Sequence, residues 1–279
     1  MSIKSRILRL PISDSTKESL SSVYHKLHDP ALKTYLAFVS SNRKNEWVKK
    51  ERDQDVELIS KFKPVEEIIP IHISSWHHGS AYFRIKTEDG IYFVKKEINR
   101  EIVEREVSFF HLVDGSDEHI KSLFPQLYYF SHENYASYII SSYIDQIETN
   151  ENILRKLTHK DQEVLIYQML DLVRWMRKVG VCHNDIRLEN FFFSKGRLIL
   201  FDFGYSCLFQ NREAFLDSLS KEELEKLNKH NRIGKYESDD IFSVFYIMKE
   251  ICPDFMSQYR DIWSEINSYM GERVLRKII

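Results

Sequence analysis

The strongest constraint on this chain is the run Val181-Cys182-His183-Asn184-Asp185-Ile186-Arg187-Leu188-Glu189-Asn190, followed after the apolar stretch Leu198-Ile199-Leu200-Phe201 by Asp202-Phe203-Gly204. Asp185, Asn190 and Asp202 all carry side-chain oxygens. Phosphoryl transfer asks little covalent chemistry of a protein. It needs a carboxylate beside the attacking hydroxyl and oxygen ligands that hold Mg²⁺ on the phosphates. An Asn and an Asp sharing a hard cation with phosphates suits an ion that prefers oxygen donors and keeps several waters. Asp185 is thus the candidate catalytic carboxylate, and Asn190 and Asp202 are the candidate metal ligands.

These two segments resemble the H-R-D-L-x-x-x-N and D-F-G motifs of the protein kinase superfamily. The likeness extends on both sides. Upstream, Gln162 to Met176 places apolar residues at helical spacing and Gly180 ends the run, where the family has a long buried helix. Downstream, Ser238-Asp239-Asp240-Ile241-Phe242-Ser243 resembles the family's D-x-W-S-x-G helix, with Asp240 at the position that hydrogen-bonds catalytic-loop backbone. The resemblance implies an α+β fold of two lobes, a small antiparallel β N-lobe and a shortened, mainly helical C-lobe.

In the amino-terminal half, Ile68 to Ile73, Tyr82 to Ile85 and Ile91 to Lys95 read as short strands, separated by a loop at Trp76-His77-His78-Gly79-Ser80 and a turn at Glu88-Asp89-Gly90. Tyr92-Phe93-Val94-Lys95 resembles the V-A-I-K strand, which makes Lys95 the residue that reaches the α- and β-phosphates. Lys96 is the register alternative, since a one-residue slip exchanges the two faces of a strand. Lys95 is preferred because it shares a face with Ile91 and Phe93. Arg100 to Val113 reads as the helix that supplies the lysine's glutamate. Glu106 is chosen over Glu104 because Phe109 and Phe110 follow it, where the family packs toward the Phe of D-F-G. Tyr138 to Asp145 resembles the strand and hinge that offer backbone to adenine, with Ser141 as gatekeeper and Ser142 and Ile144 as nucleotide contacts. Gly79 and Ser80 stand where backbone amides would cradle phosphate.

Departures from the family pattern are as informative. Asn184 replaces the arginine that in many kinases binds a phosphorylated activation loop. Arg187 stands where Ser/Thr kinases usually carry lysine, and its fixed fork suits a transferring phosphate. The loop at Gly79 has one glycine instead of three. No A-P-E follows Gly204, and Ser220-Lys221-Glu222-Glu223 reads as a capping box opening a helix from Lys221 to Asn228.

With 279 residues, 43% hydrophobic and 13% aromatic, the chain is long enough for a sizeable core. The expected division is a helical extension over 1–64, an N-lobe over 65–144 and a C-lobe over 145–279. A formal charge of −2, from 40 basic and 42 acidic residues, argues against a nucleic-acid surface. Three cysteines without a C-x-x-C favour free thiols in a reducing compartment, and no apolar stretch reaches membrane-span length, so the expected location is cytoplasmic. His77 and His78 lack a third ligand and read as turn residues.

The resemblance implies ATP and Mg²⁺ as nucleotide and metal, with a hydroxyl acceptor. Asp185 would take the acceptor's proton, Lys95 paired to Glu106 would grip the phosphates, and Arg187 would steady the γ-phosphate. Protein Ser or Thr is the first acceptor class, on the form of His183-Asn184-Asp185-Ile186-Arg187-Leu188-Glu189-Asn190. A sugar, lipopolysaccharide or other small-molecule kinase is the alternative. A nucleotide-binding pseudokinase or scaffold is the third reading.

Overall fold

The structure, a computed structural model, describes residues 41–72, 80–145, 153–154, 156–194, 196–221 and 240–269. The chain divides into two compact units, Met1–Glu88 and Asp89–Ile279.

In the first unit a helical stretch over 41–50 leads into α1 (Arg52–Ile59), and β1 (Glu67–Ile71) pairs antiparallel with β2 (Ala81–Thr87) from Glu67 opposite Lys86 to Ile71 opposite Tyr82. Strand β2 alternates buried Ala81, Phe83 and Ile85 with more exposed neighbours, the period expected of a sheet with one covered face. Trp47 lies over Phe83 with ring centroids 5.1 Å apart, and its indole N–H donates to the buried Asp55 carboxylate at 2.8 Å. The aromatic contact fastens the first helical stretch to the hairpin, and the indole–carboxylate bond ties that stretch to α1. The loop at Gly79, with His77 and His78, lies outside the described residues, as do residues 1–40 of the expected helical extension.

The second unit begins with β3 (Gly90–Glu97), which pairs antiparallel with β5 (Ser137–Ser142); β5 pairs in turn with β4 (Leu127–His132). Between β3 and β4 run α2 (Arg100–Asp114) and the single turn α3 (Glu118–Lys121). Asn99 caps α2 by accepting from the Glu101 N–H, the service an orphan first-turn donor requires. Helix α2 buries Val103, Glu106, Val107, Phe109, Phe110 and Val113, so its inner stripe is apolar apart from one carboxylate. The sheet's β5 is buried along nearly its whole length.

The helical part rests on α4 (His159–Val179), which opens with a reciprocal capping box between Thr158 and Asp161 and closes at Gly180 in the left-handed conformation (φ 70°). Its buried stripe, from Leu165 through Met169, Leu172 and Val173 to Met176, packs against α6 (Asp240–Ile251) within one continuous core. Beyond it come α7 (Phe255–Gln258) and α8 (Arg260–Tyr269). Two small ladders then place the functional loops. One joins β6 (Val181–Cys182) to β9 (Cys207–Leu208); the other joins β7 (Phe191–Ser194) to β8 (Arg197–Leu200). Three consecutive phenylalanines, Phe191 to Phe193, make up most of β7, with Phe191 fully buried. Helix α5 (Arg212–Ser218) follows β9; the capping box and helix expected from Ser220 onward fall outside the described residues beyond Lys221. No described helix is long and apolar enough to cross a membrane.

Candidate active site

The loop between β6 and β7 carries His183, Asn184, Asp185, Arg187 and Asn190, and its shape is dictated by a distant carboxylate. Asp240, at the start of α6, accepts from the backbone N–H of His183 at 2.6 Å and of Asn184 at 2.9 Å. Both residues are buried, where a backbone N–H requires an acceptor. Held this way, Asn184 takes a left-handed backbone (φ 64°), a conformation asparagine tolerates better than most residues, and the turn delivers Asp185 inward. His183 is fully buried, its Nε2 sits 3.1 Å from the Phe201 carbonyl, and burial pushes its pKa down to about 4. The ring is neutral at physiological pH and serves as a structural strut.

Asp185 is 4% exposed. The Asn190 amide donates to its backbone carbonyl at 2.8 Å and to its Oδ2 at 3.0 Å, and the Arg187 guanidinium stands 3.5 Å from the same Oδ2. The other oxygen, Oδ1, is buried with no hydrogen-bond partner among the described residues. Burial raises this carboxyl to about 7 against the opposing pull of Arg187. Ser131 Oγ, the Tyr259 hydroxyl and Asn267 Oδ1 are also buried and unpartnered among the described residues, but Asp185 Oδ1 alone of these belongs to a carboxylate, an acceptor suited to a proton donor. Its pKa near neutrality is what a general base requires.

Asp202 lies just beyond β8, with a left-handed backbone of its own (φ 66°). Phe203 anchors the loop there. Its ring stacks on Phe109 of α2 at 4.1 Å and nearly parallel, and meets Phe110, His183 and Phe124 at 5.2, 5.4 and 5.9 Å. Gly204 is required by space: a Cβ there would stand 2.9 Å from the Ile102 side chain and 3.4 Å from a Glu106 carboxylate oxygen. Arg105 donates to the Gly204 carbonyl at 2.6 Å, and the Asn184 amide donates to the Tyr205 carbonyl at 2.9 Å and to the Cys207 sulfur at 3.2 Å.

Lys95, two residues before the end of β3, stands between two carboxylates. Its ammonium is ion-paired to the buried Glu106 and lies 3.3 Å from Asp202 Oδ1. Burial raises Glu106 to about 7 while Lys95 pulls it back; at Asp202 burial raises the pKa too, but Lys95, His183 and Arg187 outweigh it and hold the carboxyl below its ordinary value. The alternative lysine, Lys96, is buried as well, but its ammonium lies over the Tyr135 ring at 5.5 Å. Glu104, the alternative glutamate, faces outward to Arg100. The structure therefore brings together Lys95, Glu106, Asp185, Arg187, Asn190 and Asp202.

Ser141 is buried opposite Phe93 on β3; Ser142, next to it, exchanges hydrogen bonds with the Gln126 backbone, its N–H donating at 2.9 Å and its hydroxyl accepting at 3.0 Å. Ile144 follows beyond the strand, half-buried. Gly79 is outside the described residues, and Ser80 belongs to the first compact unit.

The residues present fit Mg²⁺. Asn190 Oδ1 has only a long contact with Arg187 Nε at 3.3 Å, and the Asp202 side chain keeps 36% of its surface open while Lys95 takes Oδ1. Among the described residues no three His, Cys, Asp or Glu side chains form a metal cluster. Two protein oxygens, completed by phosphates and water, is the coordination Mg²⁺ favours over an all-protein cage.

Two roles were invisible in the sequence. Arg105 and Asn184 hold the backbone after Asp202 from residues 99 and 21 positions away, and nothing local to either announces the contact.

The structure of the Cydia pomonella granulovirus kinase PK-1 superposes with a TM-score of 0.45 at 17% identity, over 56% of this chain and 57% of the viral one. Comparison with curated proteins gives no relative. The family model for the protein kinase domain matches residues 77–262, a span that takes in Lys95, Glu106, the His183 loop, Asp202 and Asp240. With that match over most of its length, and with the bilobal α+β architecture it implies, this chain belongs to the protein kinase family.

Proposed function

We propose that this chain transfers the γ-phosphoryl group of ATP to a hydroxyl, with protein Ser or Thr side chains as the acceptor class. The observation that carries the reading is Lys95 paired to Glu106 and Asp202, beside an Asp185 carboxylate with one oxygen buried and open.

Lys95 presents its ammonium to the α- and β-phosphates, and Glu106 fixes where that charge stands. Asn190 and Asp202 hold Mg²⁺, which when bound neutralises phosphate charge and orients the γ-phosphoryl group. Asp185 Oδ1 accepts the acceptor's proton as its oxygen attacks, while Asn190 keeps Oδ2 occupied and so aims the open lone pairs. Arg187, about a quarter exposed beside Asp185, offers its charge to the phosphoryl group in transit. Backbone at Ser142 and Ile144 meets adenine.

One sequence observation favours a second acceptor class. The stretch from Gly204 to Asp240 lacks A-P-E, as expected of an enzyme acting on a sugar or another small hydroxyl compound. Labelled ATP separates the two when offered with generic protein substrates and with a panel of sugars. Mg²⁺-dependent label on protein, lost in Asp185→Ala while calorimetric Mg²⁺·ATP binding persists, is the expected result. Label on the sugars alone moves the acceptor to the second class. ATP binding that ignores Mg²⁺ overturns the assignment and leaves a binding module.

A further inference from the structure

The β6–β9 ladder places two thiols face to face beside the catalytic loop. Cys182 precedes His183 directly, Cys207 lies five residues after Asp202, and the register sets them opposite each other. The Phe209 N–H donates to the Gly180 carbonyl at 2.7 Å one step outside Val181 opposite Leu208, so the alternation of an antiparallel ladder makes Cys182 and Cys207 a hydrogen-bonded pair. Such pairs hold their Cα atoms about 5.5 Å apart, inside the window of roughly 4.4–6.8 Å that a disulfide spans. Cys182 is buried and Cys207 half-buried, and both are free thiols. The Cys207 sulfur also touches the loop that carries Asp185, accepting from the Asn184 amide at 3.2 Å.

We propose that Cys182 and Cys207 are a reversible oxidation site for hydroperoxides, closing to a cross-strand disulfide that slows phosphoryl transfer. The Cys207 sulfur, the more accessible of the two, attacks the peroxide O–O bond as a thiolate. An S–O bond forms, the O–O bond breaks, and the departing oxygen leaves as water or alcohol after taking a proton. The Cys182 thiol then attacks the sulfenic sulfur of Cys207; the S–S bond forms, the S–O bond breaks, and hydroxide leaves as water with the second thiol's proton. Two sulfurs supply the two electrons that reduce the peroxide, so two thiols and one hydrogen peroxide give one disulfide and two waters.

The effect on turnover, which rests on the proposed function, follows from where the sulfur goes. Side chains across a hydrogen-bonded pair are set farther apart than a disulfide prefers, so closure draws the two strands together and takes the Cys207 sulfur from Asn184. Asn184 is the residue before Asp185, and a displacement of about 1 Å in a catalytic group costs up to about a hundredfold in rate. The same mismatch makes the bond readily reduced, as a reversible modification requires.

The full-length protein, incubated with and without hydrogen peroxide, alkylated and digested, gives the decisive peptide map. The expected outcome is a linked peptide pair containing Cys182 and Cys207, a loss of two hydrogens from the intact mass, full reversal by dithiothreitol, and phosphoryl transfer lowered about tenfold to a hundredfold in step with the linkage. A Cys207→Ser protein should keep its rate through the same treatment. Linkage through Cys252, oxidation of Cys207 to sulfinic acid without linkage, or both thiols still open to alkylation each overturn the proposal. So does a linked protein that turns over as fast as the dithiol form. The map needs no turnover, so a chain without phosphotransferase activity refutes the proposed function while the map still decides whether the thiols join.

Discussion

Replacing Asp185 by asparagine keeps the size of the side chain and removes its charge, and the structure sets how stability should respond. The carboxyl, 4% exposed, is raised by burial from an ordinary value of 3.8 to about 7. A raised folded value means that the folded protein holds its proton longer than the unfolded chain does. The stability this contributes is fully present below about pH 4 and is lost as pH rises through about 7. At about 1.4 kcal/mol for each step of the difference, full ionisation costs the folded state about 4 kcal/mol, a ceiling that water reorganisation reduces toward about 2. Asparagine carries no such cost. Its carbonyl can keep the bond from Asn190, but its NH₂ then occupies the open Oδ1 position and is a buried donor without an acceptor, a pH-independent cost of about 1–3 kcal/mol. Asp185→Asn should therefore be the less stable protein near pH 4 and equal or more stable near pH 8, the difference swinging by about 2–4 kcal/mol across that range. Urea unfolding of the two nucleotide-free proteins, at matched ionic strength across the pH range, measures it. Glu106 titrates in the same window in both proteins and cancels in the comparison. A stability difference that stays flat with pH would show that Asp185 is not buried as an ionisable acid, and its fitness as a base near neutrality would go with it.

Lys95→Met leaves the buried Glu106 without its cation and should cost about 3–5 kcal/mol along with Mg²⁺·ATP affinity, whereas Lys96→Met gives up a contact over Tyr135 and should keep turnover. Denaturation and calorimetry on both proteins check the pair, and equal losses of nucleotide affinity would remove the distinction. Asp240→Ala strands the buried N–H groups of His183 and Asn184, for an expected loss of about 2–6 kcal/mol in urea unfolding. A loss below about 0.5 kcal/mol would mean the catalytic loop holds its shape unaided.

How much of this was legible depended on how local each signal was. The helix over Arg100–Asp114 was readable because its apolar residues recur at helical spacing, and Gly180 marked the end of α4 because the left-handed residue there favours glycine. Strand alternation groups Lys95 with Ile91 and Phe93, but Ile91 is exposed and both lysines are buried, so it is the partner carboxylate, not the face, that distinguishes Lys95 from Lys96. Asn184 read as the loss of a phosphate-binding arginine; in three dimensions its amide holds the Tyr205 carbonyl directly, with no phosphate between. Arg105 gave no signal at all, since its acceptor is a backbone oxygen and backbone oxygens look alike in every sequence. The facing of Cys182 and Cys207 was equally hidden, because a ladder of two residues a side has no periodicity to read.

Asp240 has a further consequence in time. Its carboxylate closes the catalytic loop from 56 and 57 positions downstream. At a synthesis rate of roughly 5–20 residues per second, the loop around Asp185 waits roughly 3–11 s after it is made before its acceptor exists. During that interval the amides of His183 and Asn184 must be solvated or chaperoned. A slow codon between the two segments would lengthen the exposure without changing a single residue of the finished chain.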